Sequence, residues 1–180
     1  MNLFLINAYT LVRSGKNKKN DKERGVMRIF KYVGFGALAV ILSTSPILAA
    51  DTAPGDVVFQ DGAVMASLTG VPGDAANGRK IFMNRKLGNC LACHANTEMS
   101  EQSFHGEVGP ALDGVAGRWS KVELRGMLVN SKMMFEGTIM PAFYKSSGYE
   151  RNLKKFEGKT IMSAQQVEDV LSYLLTLNEE

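Results

Sequence analysis

The sequence predicts an all-α domain, three to five helices joined by long loops, and three observations carry that expectation. Ser120 with Glu123, and Ser163 with Gln166, pair a hydroxyl residue with a side chain three places on that can return a hydrogen bond, the start signal of a helix. Behind the second pair, Val167, Val170, Leu171 and Leu174 recur at the spacing of one helix face. No stretch alternates apolar and polar residues well enough to predict a strand.

A chain of 180 residues with ordinary apolar and charged fractions allows one globular domain with appendages. The formal charge of +3 is unevenly spread: residues 1–50 hold eight Lys and Arg against two acids, and the remainder holds thirteen basic and sixteen acidic residues, a net charge of −3. A domain of that charge offers no broad basic field for nucleic acid, so its partners should be proteins or small molecules.

Residues 1–26 join a short apolar start to the charged run Lys16 to Arg24 and fit no targeting pattern. Translation is expected to start at Met27, which makes 1–26 a mis-assigned upstream extension. Residues 27–50 have the order of a secretory signal peptide: Arg28 and Lys31, the apolar run Val33 to Leu42, then Ile47, Leu48, Ala49 and Ala50 before Asp51. Cleavage after Ala50 and export to the periplasm are expected. An uncleaved anchor is the competing reading, but Pro46 and the short core fall below the roughly 20 apolar residues of a span, so no stable membrane insertion of the mature chain is expected.

Residues 51–73 read as an extended lead punctuated by Pro54-Gly55, Asp61-Gly62 and Pro72-Gly73. Val57, Val58 and Phe59 are too apolar for a free linker and should lie against the domain or a partner. The domain proper is expected over 74–180. Its first helix should run from near Asp74 to Lys86, with Ala75, Gly78, Ile81 and Phe82 on one face and Arg79, Lys80, Arg85 and Lys86 opposite. Small Gly78 would let another helix approach closely; the competing reading is a surface helix with an incidental glycine.

Cys90-Leu91-Ala92-Cys93-His94 follows, and this spacing is the one in which two thiols bond covalently to a haem while the adjacent imidazole ligates its iron. Competing readings leave part of the motif unused. A disulfide or thioredoxin-like pair needs only the cysteines and a βαβ setting that this chain lacks. A zinc site could recruit Cys90, Cys93, His94 and His105, but the contiguous Cys93 and His94 are awkward tetrahedral partners and the usual paired spacing is absent.

Ala95 to Gly117 has little periodicity, is rich in glycine and holds Pro110; wrapping a haem is a sufficient reason for so long an irregular stretch. The second helix then starts at Ser120, with Trp119 and Leu124 at the spacing of a hydrophobic staple and Leu124, Met127 and Leu128 as its apolar face. The last helix starts at Ser163, with Met162 and Val167 as its staple and an acidic or polar outer face. Three such helices make a thin core, and a buried macrocycle would supply the missing apolar surface.

A second axial ligand must approach from the far side of the porphyrin. Met99 is too close in sequence to His94, and Met83 lies on the approach helix. His105 would make a bis-histidine site. Met140, in Thr138-Ile-Met-Pro-Ala-Phe143, is forty-six residues from His94, and Pro141 fixes the backbone direction beside it. Met133 and Met134 are nearby competitors, and any one methionine is more often core filler than a ligand.

The order of a Gly78-x-x-x-Phe82 helix, Cys-x-x-Cys-His, Gly109-Pro110-Ala-Leu112, a Met-Pro loop and a closing helix resembles class I cytochrome c from about Asp74 to the end. More narrowly it resembles the SoxX family, the mono-haem subunits of the SoxXA cytochromes of bacterial thiosulfate oxidation. Ser67 to Asp74, Gly78 to Phe82, Gly88 to His94, Phe104 to Pro110, Thr138 to Tyr144 and Gln166 to Val170 carry the likeness, with Phe104-His-Gly-Glu-Val-Gly-Pro110 and Ile139-Met-Pro-Ala-Phe-Tyr144 narrowing it most.

The resemblance implies one haem c bound through Cys90 and Cys93, His94 as proximal and Met140 as distal ligand, and Pro110 as the residue whose carbonyl orients the imidazole. It implies that Gly78 and Phe82 cross the last helix near Tyr173 and Leu174, and that His105 is not a ligand. It further implies a heterodimer in which this chain, with no catalytic residues of its own, takes electrons from a SoxA-like subunit that joins thiosulfate to a cysteine of a SoxYZ-like carrier, and passes them to a downstream acceptor. The whole complex would be an L-cysteine S-thiosulfotransferase. A His and Met pair saturates iron and favours a high reduction potential, which suits electron transfer. The alternative is a free mono-haem carrier between respiratory complexes. Free carriers often ring the haem edge with lysines, whereas Ile139, Ala142, Phe143 and Tyr144 around Met140 lean towards a buried subunit contact.

Overall fold

The computed structural model describes residues 50–178. The expected upstream extension and the signal peptide, apart from Ala50, lie outside them. Four α-helices, α1 (Ala75–Met83), α2 (Val115–Arg118), α3 (Lys121–Asn130) and α4 (Ala164–Leu174), alternate with long loops and four short 3-10 turns. Among the described residues the only β pairing is an isolated bridge between Gln60 and Ala63.

Helix α1 begins where the Asp74 carboxylate accepts from the N–H groups of Ala76 and Asn77 at 2.8 and 3.2 Å. It ends at Met83, three residues before the expected Lys86. Asn84 leaves the helix at ψ 113°; its side-chain oxygen accepts from the Lys86 N–H at 2.9 Å, and its carbonyl accepts from Leu87 and Asn89, each at 3.0 Å. Arg85 and Lys86 therefore sit in the turn that delivers the chain to Cys90.

The buried face of α1, Gly78, Ile81 and Phe82, rests on α4. A Cβ on Gly78 would lie 2.0 Å from the carbonyl oxygen of Asp169, so the glycine is what lets the helices touch. Phe82 meets Tyr173 edge-on, with ring centroids 5.4 Å apart. The expected crossing near Tyr173 thus holds for Phe82, while Gly78 meets α4 one turn earlier, at Asp169 and Val170.

Both predicted capping boxes are formed. Ser120 and Glu123 close α3, and Ser163 and Gln166 close α4. The stripe Val167, Val170 and Leu171 is fully buried and Leu174 nearly so. The irregular stretch 95–117 contains a 3-10 turn at Thr97–Met99 and the four-residue α2, entered through Gly114 at φ 66°. So short a helix has no room for an apolar repeat, which is why periodicity does not announce it. Trp119 packs edge-on against Phe135 at 5.8 Å.

Residues 51–73 are laid onto the helices. The Thr52 N–H donates to Leu68 O and its own carbonyl accepts from the Tyr144 hydroxyl, both at 2.7 Å, and the Val64 N–H donates to Val122 O at 3.0 Å. Val64 and Leu68 join the core, with Val57 and Phe59 packed against it and Val58 left 71% exposed. This covering changes the outer face of α4, which the pattern of residues predicts to be solvated. Glu168 is buried beneath the lead and Asp169 beneath the start of α1. Glu168 accepts from Arg125 of α3 at 2.8 and 3.2 Å and from the Leu68 N–H at 2.9 Å, while Arg125 also donates to Val64 O at 2.9 Å. Asp169 accepts from the Asp74 N–H at 2.8 Å and from the Asn77 amide at 2.7 Å. A buried charge is tolerable when paired and hydrogen-bonded; the lead supplies the Leu68 N–H that completes Glu168, and the start of α1 supplies the donors to Asp169.

Candidate haem-binding site

The motif sits on one 3-10 turn, Cys90–Ala92, entered by Asn89 in the left-handed region at φ 49°. Cys93 and His94 both donate their N–H groups to Cys90 O at 3.0 Å, so the turn fixes all three residues relative to one another. Gly88 makes room behind it: a Cβ there would stand 2.8 Å from Ile81 O and 3.1 Å from Cys90 Sγ.

Both cysteines are unpaired and half-buried. Burial pushes the Cys90 thiol up to about 12, which keeps it neutral at physiological pH. A thiol so raised is a poor partner for thiolate exchange. Among the described residues no three His, Cys, Asp or Glu gather in a metal-holding group.

The loop 106–110 runs against the turn. Gly106 donates its N–H to Leu91 O at 2.8 Å and Gly109 to Cys93 O at 2.7 Å. Glycine is needed at both places, since a Cβ would lie 2.1 Å from Ala92 O at position 106 and 2.4 Å from His94 Cε1 at position 109. This approach brings the Pro110 carbonyl to 2.7 Å from His94 Nδ1. A carbonyl can only accept, so Nδ1 carries the proton and Nε2 keeps the lone pair that can ligate a metal.

His105, the other histidine, has both ring nitrogens engaged by backbone. Nδ1 accepts from the Asn96 N–H at 3.2 Å and Nε2 donates to Met99 O at 3.1 Å. Each partner lies within the 95–105 loop, so His105 closes that loop and has no lone pair to spare. Asn96, fully buried, also donates to the Tyr173 hydroxyl at 2.7 Å, tying the loop to α4.

The methionines fall into distinct settings. Met99 and Met162 are fully buried in the core, Met133 is 51% exposed, and Met134 packs against Gly62. Met83 and Met140 are half-buried beside the core cluster. Met140 has its backbone tied on both sides by side-chain groups: its N–H donates to Thr138 Oγ1 at 3.3 Å, and its carbonyl accepts from Ser131 Oγ at 2.9 Å and from Lys132 Nζ. Ser131 and Lys132 carry no motif that sequence reading can detect, because their partner is nine and eight residues away on another loop.

These residues fit a covalently held haem. Two unpaired thiols flank one turn, an imidazole is locked in the tautomer that frees Nε2, and a thioether lies on a tethered loop.

Comparison with known proteins agrees. The Cytochrome c family model matches residues 75–178. A crystal structure of SoxXA from P. pantotrophus contains a chain similar to this one at 47% identity and a TM-score of 0.68, with 72% of this chain and 100% of that chain covered. No curated protein sequence matches. Matched by the family model over most of the folded part and aligned along the whole of a SoxXA chain, this chain belongs to the cytochrome c family, in its SoxX branch.

Proposed function

We propose that the chain holds one haem c through Cys90 and Cys93, with His94 and Met140 as axial ligands, and serves as the electron-accepting subunit of a SoxXA-type thiosulfate-oxidising complex. The observation that carries this reading is the alignment at 47% identity along the full length of a SoxXA chain, together with a His94 imidazole whose Nδ1 is committed to Pro110 O at 2.7 Å. When bound, the haem supplies a one-electron couple. The protein supplies attachment by the two thiols, orientation of the imidazole by Pro110, and a thioether from a loop anchored to α3.

With both donors in place the iron would have no position open to substrate, and among the described residues no nucleophile with an adjacent base stands beside the motif. The chain is therefore the non-catalytic partner. A SoxA-like cytochrome subunit is its proposed electron donor, a SoxYZ-like carrier reaches it through that subunit, and a downstream acceptor drains it. The signal-like order of residues 27–50 supports a periplasmic location, with residues 1–26 upstream of the true start and a mature chain beginning at Asp51.

Met140→His tests ligand and role together. A nitrogen donor favours ferric iron where a thioether favours ferrous, so the reduction potential should fall by on the order of 100 mV or more within the roughly 0.8 V that axial ligands span. Thiosulfate-dependent turnover of the reconstituted complex should drop while assembly persists. Replacing Met133 or Met134 should change neither quantity. An unshifted potential would move the ligand elsewhere, and a shifted potential with full turnover would remove this chain from the electron path.

A further inference from the structure

A methionine side chain has three rotatable bonds, so a thioether kept at one point in space needs a backbone that cannot turn. We propose that Ser131 and Lys132 are positioning residues that clamp the Met140 carbonyl and so fix where its thioether points. This rests on the reading of Met140 as the distal ligand.

The clamp grows out of the C-terminal end of α3. A helix leaves its last carbonyls without intrahelical partners, and here the methionine loop takes them up: Phe143 N–H donates to Leu128 O and Tyr144 N–H to Val129 O, both at 3.2 Å. Ser131 continues the pairing in the opposite sense, its hydroxyl donating to Met140 O at 2.9 Å. Ser131 is itself held, since its carbonyl accepts from the N–H groups of Met134 and Phe135 at 3.2 and 2.9 Å.

Ser131 is 0% exposed, and a hydroxyl taken so completely from water is costly unless it is bonded. Alanine would fill nearly the same space without that need. The bond to Met140 is what the hydroxyl is there to make. Lys132 adds a charge-assisted donor to the same oxygen from the solvent side. With the Met140 N–H on Thr138 Oγ1, both peptide planes flanking its Cα are tied, and Pro141 disfavours the helical region for the residue before it. The direction of the Cα–Cβ bond is then set, and only the side-chain torsions remain.

The test uses the haem-loaded chain and reads the methionine-to-ferric-iron charge-transfer absorption and the rate at which imidazole displaces the thioether. Ser131→Ala should weaken the absorption and speed displacement about 10-fold, the consequence of losing one ordinary hydrogen bond. Lys132→Gln, on the surface and harmless to folding, should speed displacement several-fold, and Lys132→Arg should restore the original rate. Ser163→Ala removes the cap of α4 and should lower the melting temperature without changing displacement, which separates positioning from general stability. Unchanged displacement in both Ser131→Ala and Lys132→Gln would overturn the clamp while the Met140→His variant still loses the absorption. Retention of the absorption in Met140→His would instead overturn the ligand assignment beneath it.

Discussion

At the scale of single residues, the orientation of His94 depends on the absence of one carbon atom. Gly109 lies so close beneath the imidazole that a Cβ would be 2.4 Å from Cε1, and that closeness carries the Pro110 carbonyl to Nδ1. Gly109→Ala should push the ring off its acceptor at a cost of about 1–3 kcal/mol. Haem-loaded yield and melting temperature should both fall; an unchanged melting curve and haem spectrum would show that the loop yields freely. The sequence makes Cys90, Cys93 and His94 legible because their chemistry is written in consecutive letters. Pro110 becomes legible only through resemblance. His105 stays ambiguous in sequence, because its exclusion depends on the backbone groups of Asn96 and Met99, which no pattern of side chains reveals.

At the scale of elements, helix starts are the most readable features and buried charges the least. The capping boxes at Ser120 and Ser163 form as local chemistry dictates, since both partners lie within four residues. Arg125, Glu168 and Asp169 look like solvent-facing residues of two amphipathic helices. Arg125 and Glu168 are buried because residues 51–73 cross over them, and Asp169 because the start of α1 packs on it, tertiary events that helical periodicity cannot encode. Gly78 shows the reverse case, where a small residue on an apolar face correctly signals a close helix contact. Gly78→Ala places a Cβ 2.0 Å from a backbone oxygen that cannot rotate away, so α1 and α4 must separate. A loss of about 3 kcal/mol is expected, at the upper end of overpacking costs. Chemical denaturation of the haem-loaded variant measures it, and stability within error of the parent would mean that the crossing is soft.

At the scale of the whole molecule, three substantial helices and a folded-back lead leave long loops whose packing depends on what they enclose. Haem attachment is therefore expected to be part of folding. Cys93→Ala, limited to one thioether, should leave most of the chain unfolded or degraded. A stable helical apo-protein from the chain with both cysteines replaced by alanine would show that the polypeptide core suffices. Burial of the lead also gives the expected processing site a structural sense, because Thr52 is already hydrogen-bonded to Leu68 and Tyr144. A mature chain starting at Asp51 would keep every one of those contacts.

This cytochrome is proposed to work as a bound subunit and not as a free carrier. Native purification from its source, followed by intact mass measurement, tests it most directly. The expected result is a stable complex with a second cytochrome, in which this chain begins at Asp51 and carries the added mass of one haem. A monodisperse single chain in native extract would contradict it.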